Sequence, residues 1–181
     1  MSDSNVPPPL PPEHIQFGAD DDTVWSAVNE WIAGIVKVTT IRQWQGGPMP
    51  TFPYCVTNLV GSQPVRVWHR DWFGEEDSLS GRVMLHPILD MEWNFSIHAY
   101  GEKPMNVLRP LVTAKLLSQV EETLFPALVL HEMSQIRNLS EYHNEDWEPH
   151  AQVDMSWHGI IFDGHLVDTI ETYEKITIIR R

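Results

Sequence analysis

Residues 88–101 read ILDMEWNFSIHAYG, and from Met91 to Tyr100 they alternate without a break. Met91, Trp93, Phe95, Ile97 and Ala99 fall on one side; Glu92, Asn94, Ser96, His98 and Tyr100 fall on the other. A period of two belongs to a β-strand with one face on an apolar core and the other on water or a partner. Gly101 punctuates its end. This stretch sets the fold class, because a central strand with one apolar face needs a layer to cover it.

The cover is written immediately downstream. Pro104 and Asn106 open a helical pattern in which Leu108, Leu111, Leu116, Val120 and Leu124 recur as one stripe. The spacing predicts a helix over 104–123 on the Trp93/Phe95 face. A second amphipathic helix is predicted upstream over 22–35, opened by Asp20, Asp21 and Asp22 and striped by Val24, Val28, Trp31 and Ile32.

Other strands surround the central one. Val36–Trp44 is β-branched and alternating, followed by a loop over 45–50 that holds Gly46, Gly47, Pro48 and Pro50. A strand over 53–60 is expected to end at Gly61. Residues 65–73 and 82–98, joined by the polar turn 74–82, predict a long β-hairpin arm. Strands are also expected over 127–136 and 151–162, separated by a polar loop over 137–149. After a turn at Asp163-Gly164, a weakly alternating segment follows over 170–179. The fold class is therefore α+β: a mainly antiparallel sheet, two amphipathic helices on one face, and a hairpin arm.

Residues 1–20 hold five of the 14 prolines, including Pro8, Pro9 and Pro11, and few apolar residues. They are expected to form a flexible N-terminal arm, with a single domain over 21–181. On the hairpin arm, Trp68, Trp72 and Phe73 are candidate interface aromatics; the competing reading is that they cover a sheet edge.

The chain carries 25 acidic and 12 basic residues, a net charge of −13, which disfavours a grip on nucleic acid phosphates. Its one cysteine, Cys55, lies in an apolar run and is read as a buried, inert thiol of a reducing compartment. No signal peptide and no apolar run of membrane-spanning length are visible.

Chemistry-bearing patterns are sparse. His131-Glu132 lacks a second histidine at helical spacing, and His150, His158 and His165 have no cysteine partner. His98 and His158 both fall on polar strand faces and are expected to be neighbours if those strands pair. Asp154 with Asp168 or Glu171 is the remaining acid/base candidate. No nucleophile elbow, phosphate loop or zinc helix motif occurs. The residues indicate no enzyme, no cofactor and no metal.

The ordered pattern resembles the neck or tail terminator proteins of tailed bacteriophages. The resemblance rests on the Trp-bearing helix 24–35, Pro53-Tyr54 opening a strand, and a long strand ending in Tyr100-Gly101. A helix follows directly, and the chain closes with a long strand and Asp168-x-Ile170-Glu171. It implies a structural virion protein assembled in the host bacterial cytoplasm. It further implies a homohexameric ring that caps the tail tube, meets the head connector, and lets DNA pass without specific binding. Another neck adaptor, a head-completion protein, or a small monomeric binding module are the alternatives.

Overall fold

A computed structural model describes residues 20–66, 71–76, 83–117, 120, 124, 127–143, 146–162 and 165–167. The fold is α+β, as the periodicities require. Helix α1 (Asp21–Val36) is capped by Asp20, whose carboxylate accepts from the Asp22 amide at 3.0 Å and the Thr23 hydroxyl at 2.6 Å. It ends where Lys37 turns left-handed, with φ 57°. That turn consumes residues expected to be strand, so β1 (Thr39–Arg42) is only four residues long.

Strand β2 (Tyr54–Pro64) runs through Gly61 instead of ending there; an irregularity between Leu59 and Gly61 absorbs the extra residue. Strand β3 is Asp71–Glu76 and β4 is Val83–Tyr100, the 18-residue central strand. They pair antiparallel from Asp71 opposite Ile88 to Glu76 opposite Val83. The hairpin therefore exists, with its pairing shifted toward the segment expected to be a turn. Helix α2 (Pro104–Ala114) follows.

The stripe predicted a longer α2. Pro110 lies inside it and offers no amide to the preceding turn, and the amides of Leu116 and Leu117 bond only three residues back. Leu116 is consequently 80% exposed rather than core.

Strands β5 (Leu128–Met133), β6 (Arg137–Asn138), β7 (Glu141–His143), β8 (Asp146–Glu148), β9 (His150–Phe162) and β10 (His165–Val167) complete the described chain. Residues 137–149 were expected to be irregular. They instead pair β6 against β9 and fold β7 and β8 into a small hairpin. The 170–179 segment lies outside the described residues.

The main sheet has the order β1-β2-β4-β9-β5, antiparallel except for the parallel β1–β2 pair, with β3 and β10 on β4 and β6 on β9. Strand β4 is flanked in tandem. On one side β2 pairs with its residues 91–100 and β3 with 83–88; on the other, β9 pairs with 88–100 and β10 with 83–85.

The core lies between this sheet and the two helices. Trp93, Phe95, Ile97 and Ala99 face Trp157, Met155, Val153 and Ala151 in register, beneath Val28, Ile32, Leu108 and Leu111. Both helices cover this one face. Burying aromatics of this size is worth about 3 kcal/mol each. Trp31 and Trp157 meet edge-on, centroids 5.0 Å apart at 83°. Cys55 is buried in the same core, and desolvation pushes its thiol up to about 12, so it is a packing residue and not a nucleophile. No helix among the described residues is long and apolar enough to cross a membrane.

Candidate assembly interface

The opposite face of the sheet carries the polar halves of β4 and β9. Their antiparallel register places Glu92 opposite His158, Ser96 opposite Asp154, and His98 opposite Gln152. These side chains bond to one another. Gln63 and Asn94 donate to Glu92 Oε1 at 3.0 Å each, and His158 Nε2 lies 3.0 Å from Glu92 Oε2. With Asn94 the largest contributor, followed by His158 and Gln63, this cage holds the Glu92 carboxyl at about 2. Glu92 is thus a fixed anion, far from the neutral range a general acid needs.

A second cluster centres on Asp154. It accepts from the Ser96 hydroxyl at 2.8 Å and from Gln152 Nε2 at 2.7 Å, and it pairs with Arg137. Residues Asp168 and Glu171, the expected acid/base partners, lie outside the described residues. The register also separates His98 from His158. His98 Nδ1 instead lies 2.8 Å from His150 Nε2, and His158 stacks on His131 at 4.0 Å. Among the described residues, no group of three or more His, Cys, Asp or Glu side chains is placed to hold a metal ion.

Burial first, and the neighbouring His150 second, push His98 below its ordinary value; Arg137 acts in the same direction and Asp154 against it. Folded His98 therefore takes up a proton less readily than unfolded His98, whose value is about 6.5. The unfolded chain binds more protons in that window, so stability falls as pH drops through about 6.5. We expect the thermal midpoint to fall between about pH 7.5 and about pH 5.5, and His98→Asn to flatten the slope. An unchanged slope in the variant would assign the effect to another histidine.

At the β1 end, the chain makes a crossover. Parallel pairing of β1 with β2 requires it to return the length of the strand. The helices hold one face, so residues 43–53 cross the other. The backbone turns there through positive φ at Trp44 (64°), Gly46 (74°) and Gly47 (107°). Between this crossover and the sheet lies a groove of about 620 Å³, with Tyr54, Val56, His98 and Tyr100 on the sheet side. Trp44 is 89% exposed, Met49 72% and Phe52 57%.

Of the sequence-predicted interface residues, Trp72 and Phe73 have their backbones on β3, opposite Pro87 and His86 on the part of β4 that extends beyond the core. Trp68, Pro8, Pro9 and Pro11 lie outside the described residues. Sequence reasoning missed Trp44 and Phe52. The available signal was a tryptophan and a phenylalanine inside a Gly/Pro-rich loop, where no core position exists for them.

The sequence matches the model of a family described as phage neck terminator protein over residues 22–180. A comparison with curated proteins gives no match. The fold is similar to the PVC sheath/tube terminator in the cryo-EM structure of an extracellular contractile injection system in its extended state. The TM-score is 0.51 and the identity 12%, covering 91% of this chain and 65% of that chain. The chain thus spans just under two thirds of that neighbour's length, and at this identity the likeness is one of fold.

Proposed function

This chain belongs to the phage neck terminator family, and from that premise we propose that it forms a ring at the head-proximal end of the tail tube. In this reading it is a homohexamer that stops tube growth, presents a surface to the head connector, and leaves a lumen for DNA. Its work is assembly, not turnover, and its place is the virion neck after assembly in the host bacterial cytoplasm.

The observation that carries the reading is the sheet itself. Among the described residues its strand order ends in β1 on one side and β5 on the other, which gives the sheet two unlike edges. A ring closes through heterologous contacts, which need two unlike patches on each subunit. The polar face is already hydrogen-bonded, so it can meet a wet interface without stranding buried donors. The net charge of −13 suits a conduit that phosphate must not stick to.

In the same reading, residues 1–20 are an arm and 21–181 one domain, with Trp68, Trp72 and Phe73 as contact aromatics. Trp68→Ser combined with Trp72→Ser should leave circular dichroism and melting unchanged while weakening assembly. A collapse of the melting transition would make these residues core.

Electron microscopy of the protein mixed with tail tubes tests the role directly. A sixfold ring at one tube end is the expected result. Neither a ring nor tube binding would favour a monomeric binding module.

A further inference from the structure

We propose that the groove beneath the 43–53 crossover receives the proline-rich stretch Pro7–Pro12 of a neighbouring copy of this chain. The proposal rests on the ring reading above and names the contact that would join one subunit to the next.

The groove has the chemistry of a polyproline receptor. A continuous ladder of rings runs from Phe52 across β2, β4 and β9, and its members Tyr54, Tyr100 and His98 line the groove. Phe52 stacks on Tyr54 at 5.4 Å and 23°, Tyr54 on Tyr100 at 5.0 Å and 19°, and Tyr100 on His150 at 4.5 Å and 8°. His150 stacks in turn on His98 at 5.0 Å. Such mutually braced rings lose little freedom when a ligand lies on them. Trp44 and Met49 stand over the sheet on the crossover side, largely exposed. Aromatic-lined grooves recognise polyproline II segments, which are already extended and lose little entropy on docking. One polyproline II turn advances about 9 Å, close to two steps of the ring ladder.

The matching segment is in the same sequence: PPPLPP at residues 7–12. Charge separates this occupant from nucleic acid. Glu148 lines the groove, while Arg42, its basic residue, is already paired with Asp22 and stacked on Trp25 at 4.4 Å. Among the described residues, a phosphate backbone would meet a carboxylate and no unpaired cation there, whereas an uncharged proline run meets neither obstacle.

Geometry favours a neighbour over the chain's own segment. Asp20 and Asp21 sit on the helix side of the sheet, where Asp21 accepts from Trp93 Nε1 at 2.7 Å and from Ser62 at 3.0 Å. The groove opens on the opposite face. A chain leaving Asp20 therefore starts on the far side of its own sheet from the groove and has to round the β1 edge to reach it.

The test uses a fluorophore-labelled peptide of residues 1–19, titrated by anisotropy into the full chain carrying Pro8→Ser, Pro9→Ser and Pro11→Ser. Saturable binding is expected, weakened about tenfold or more by adding Trp44→Ser. Absence of saturation, or equal affinity with and without Trp44, overturns the proposal. The source of the segment is read by mixing a Ser4→Cys chain with a Met49→Cys chain under assembling conditions; Cys55 is buried and does not compete. A disulfide joining one chain of each kind supports docking in trans. A link that forms only within a chain carrying both changes overturns it. Sixfold rings on tubes without the cross-link would sink this contact and leave the terminator role standing. The cross-link without tube binding would sink the role and keep the contact.

Discussion

Trp93→Ala should cost about 3–5 kcal/mol and unfold a large part of the population at ambient temperature. Trp93 is 1% exposed on the central strand, opposite Trp157 in register, and no neighbour can refill its volume without moving a paired strand. The residue also does a second job. Its indole N–H donates to Asp21 Oδ1 at 2.7 Å, linking the sheet to the first turn of α1. Urea unfolding should show a lower midpoint at nearly constant slope. Trp93→Phe separates the two roles, since it keeps most of the bulk and loses the hydrogen bond; it should cost about 1 kcal/mol beyond its smaller area. If Trp93→Ala costs less than about 1 kcal/mol, β4 is not the centre of this core.

Gly159→Ala is the second large effect, and it runs in the opposite direction, toward too much matter. A Cβ at Gly159 would lie 2.4 Å from the Ala127 carbonyl oxygen, 2.9 Å from Leu128 Cδ2 and 3.1 Å from Trp93 Cζ3. The nearest atom belongs to the backbone and cannot rotate away. Overpacking of this kind costs about 1–3 kcal/mol, and a main-chain clash belongs at the upper end. The relief available is for the start of β5 to part from β9, where Leu128 pairs with Gly159. Amide exchange should therefore accelerate first in β5, ahead of β2. Uniform protection across the sheet and a stability change within about 0.5 kcal/mol would show that the two strands are looser than they stand here.

How legible was all this in the amino-acid order? Elements with one buried face announced themselves. Met91–Tyr100 and Ala151–Trp157 alternate because each residue either meets the helices or does not, and α1 shows its period for the same reason. Readings failed where structure depends on a distant partner. Arg137 and Asn138 are exposed and polar, and nothing local says that they pair with β9. The stripe in α2 continues to Leu124, yet one missing amide at Pro110 weakens the helix that should carry it. The polar face was visible as a list and not as an arrangement. Glu92 meets His158, and His98 faces Gln152, six positions before His158 on β9, only because of the register between two strands. The groove was hidden further still, since it exists because β1 and β2 run parallel and send the chain across a face already marked polar.

The tandem flanking of β4 has a mechanical consequence. Each half of this strand is held along both sides by segments that run antiparallel to it, so its hydrogen bonds lie across its long axis. A pull that draws β4 lengthwise past its neighbours cannot peel these bonds apart one at a time. It loads them together, in shear, over the whole length of the strand. A lengthwise force on the Val83 end of β4 is thereby delivered to the helix-covered core as a load spread over two ladders, which makes β4 the tie rod of the fold.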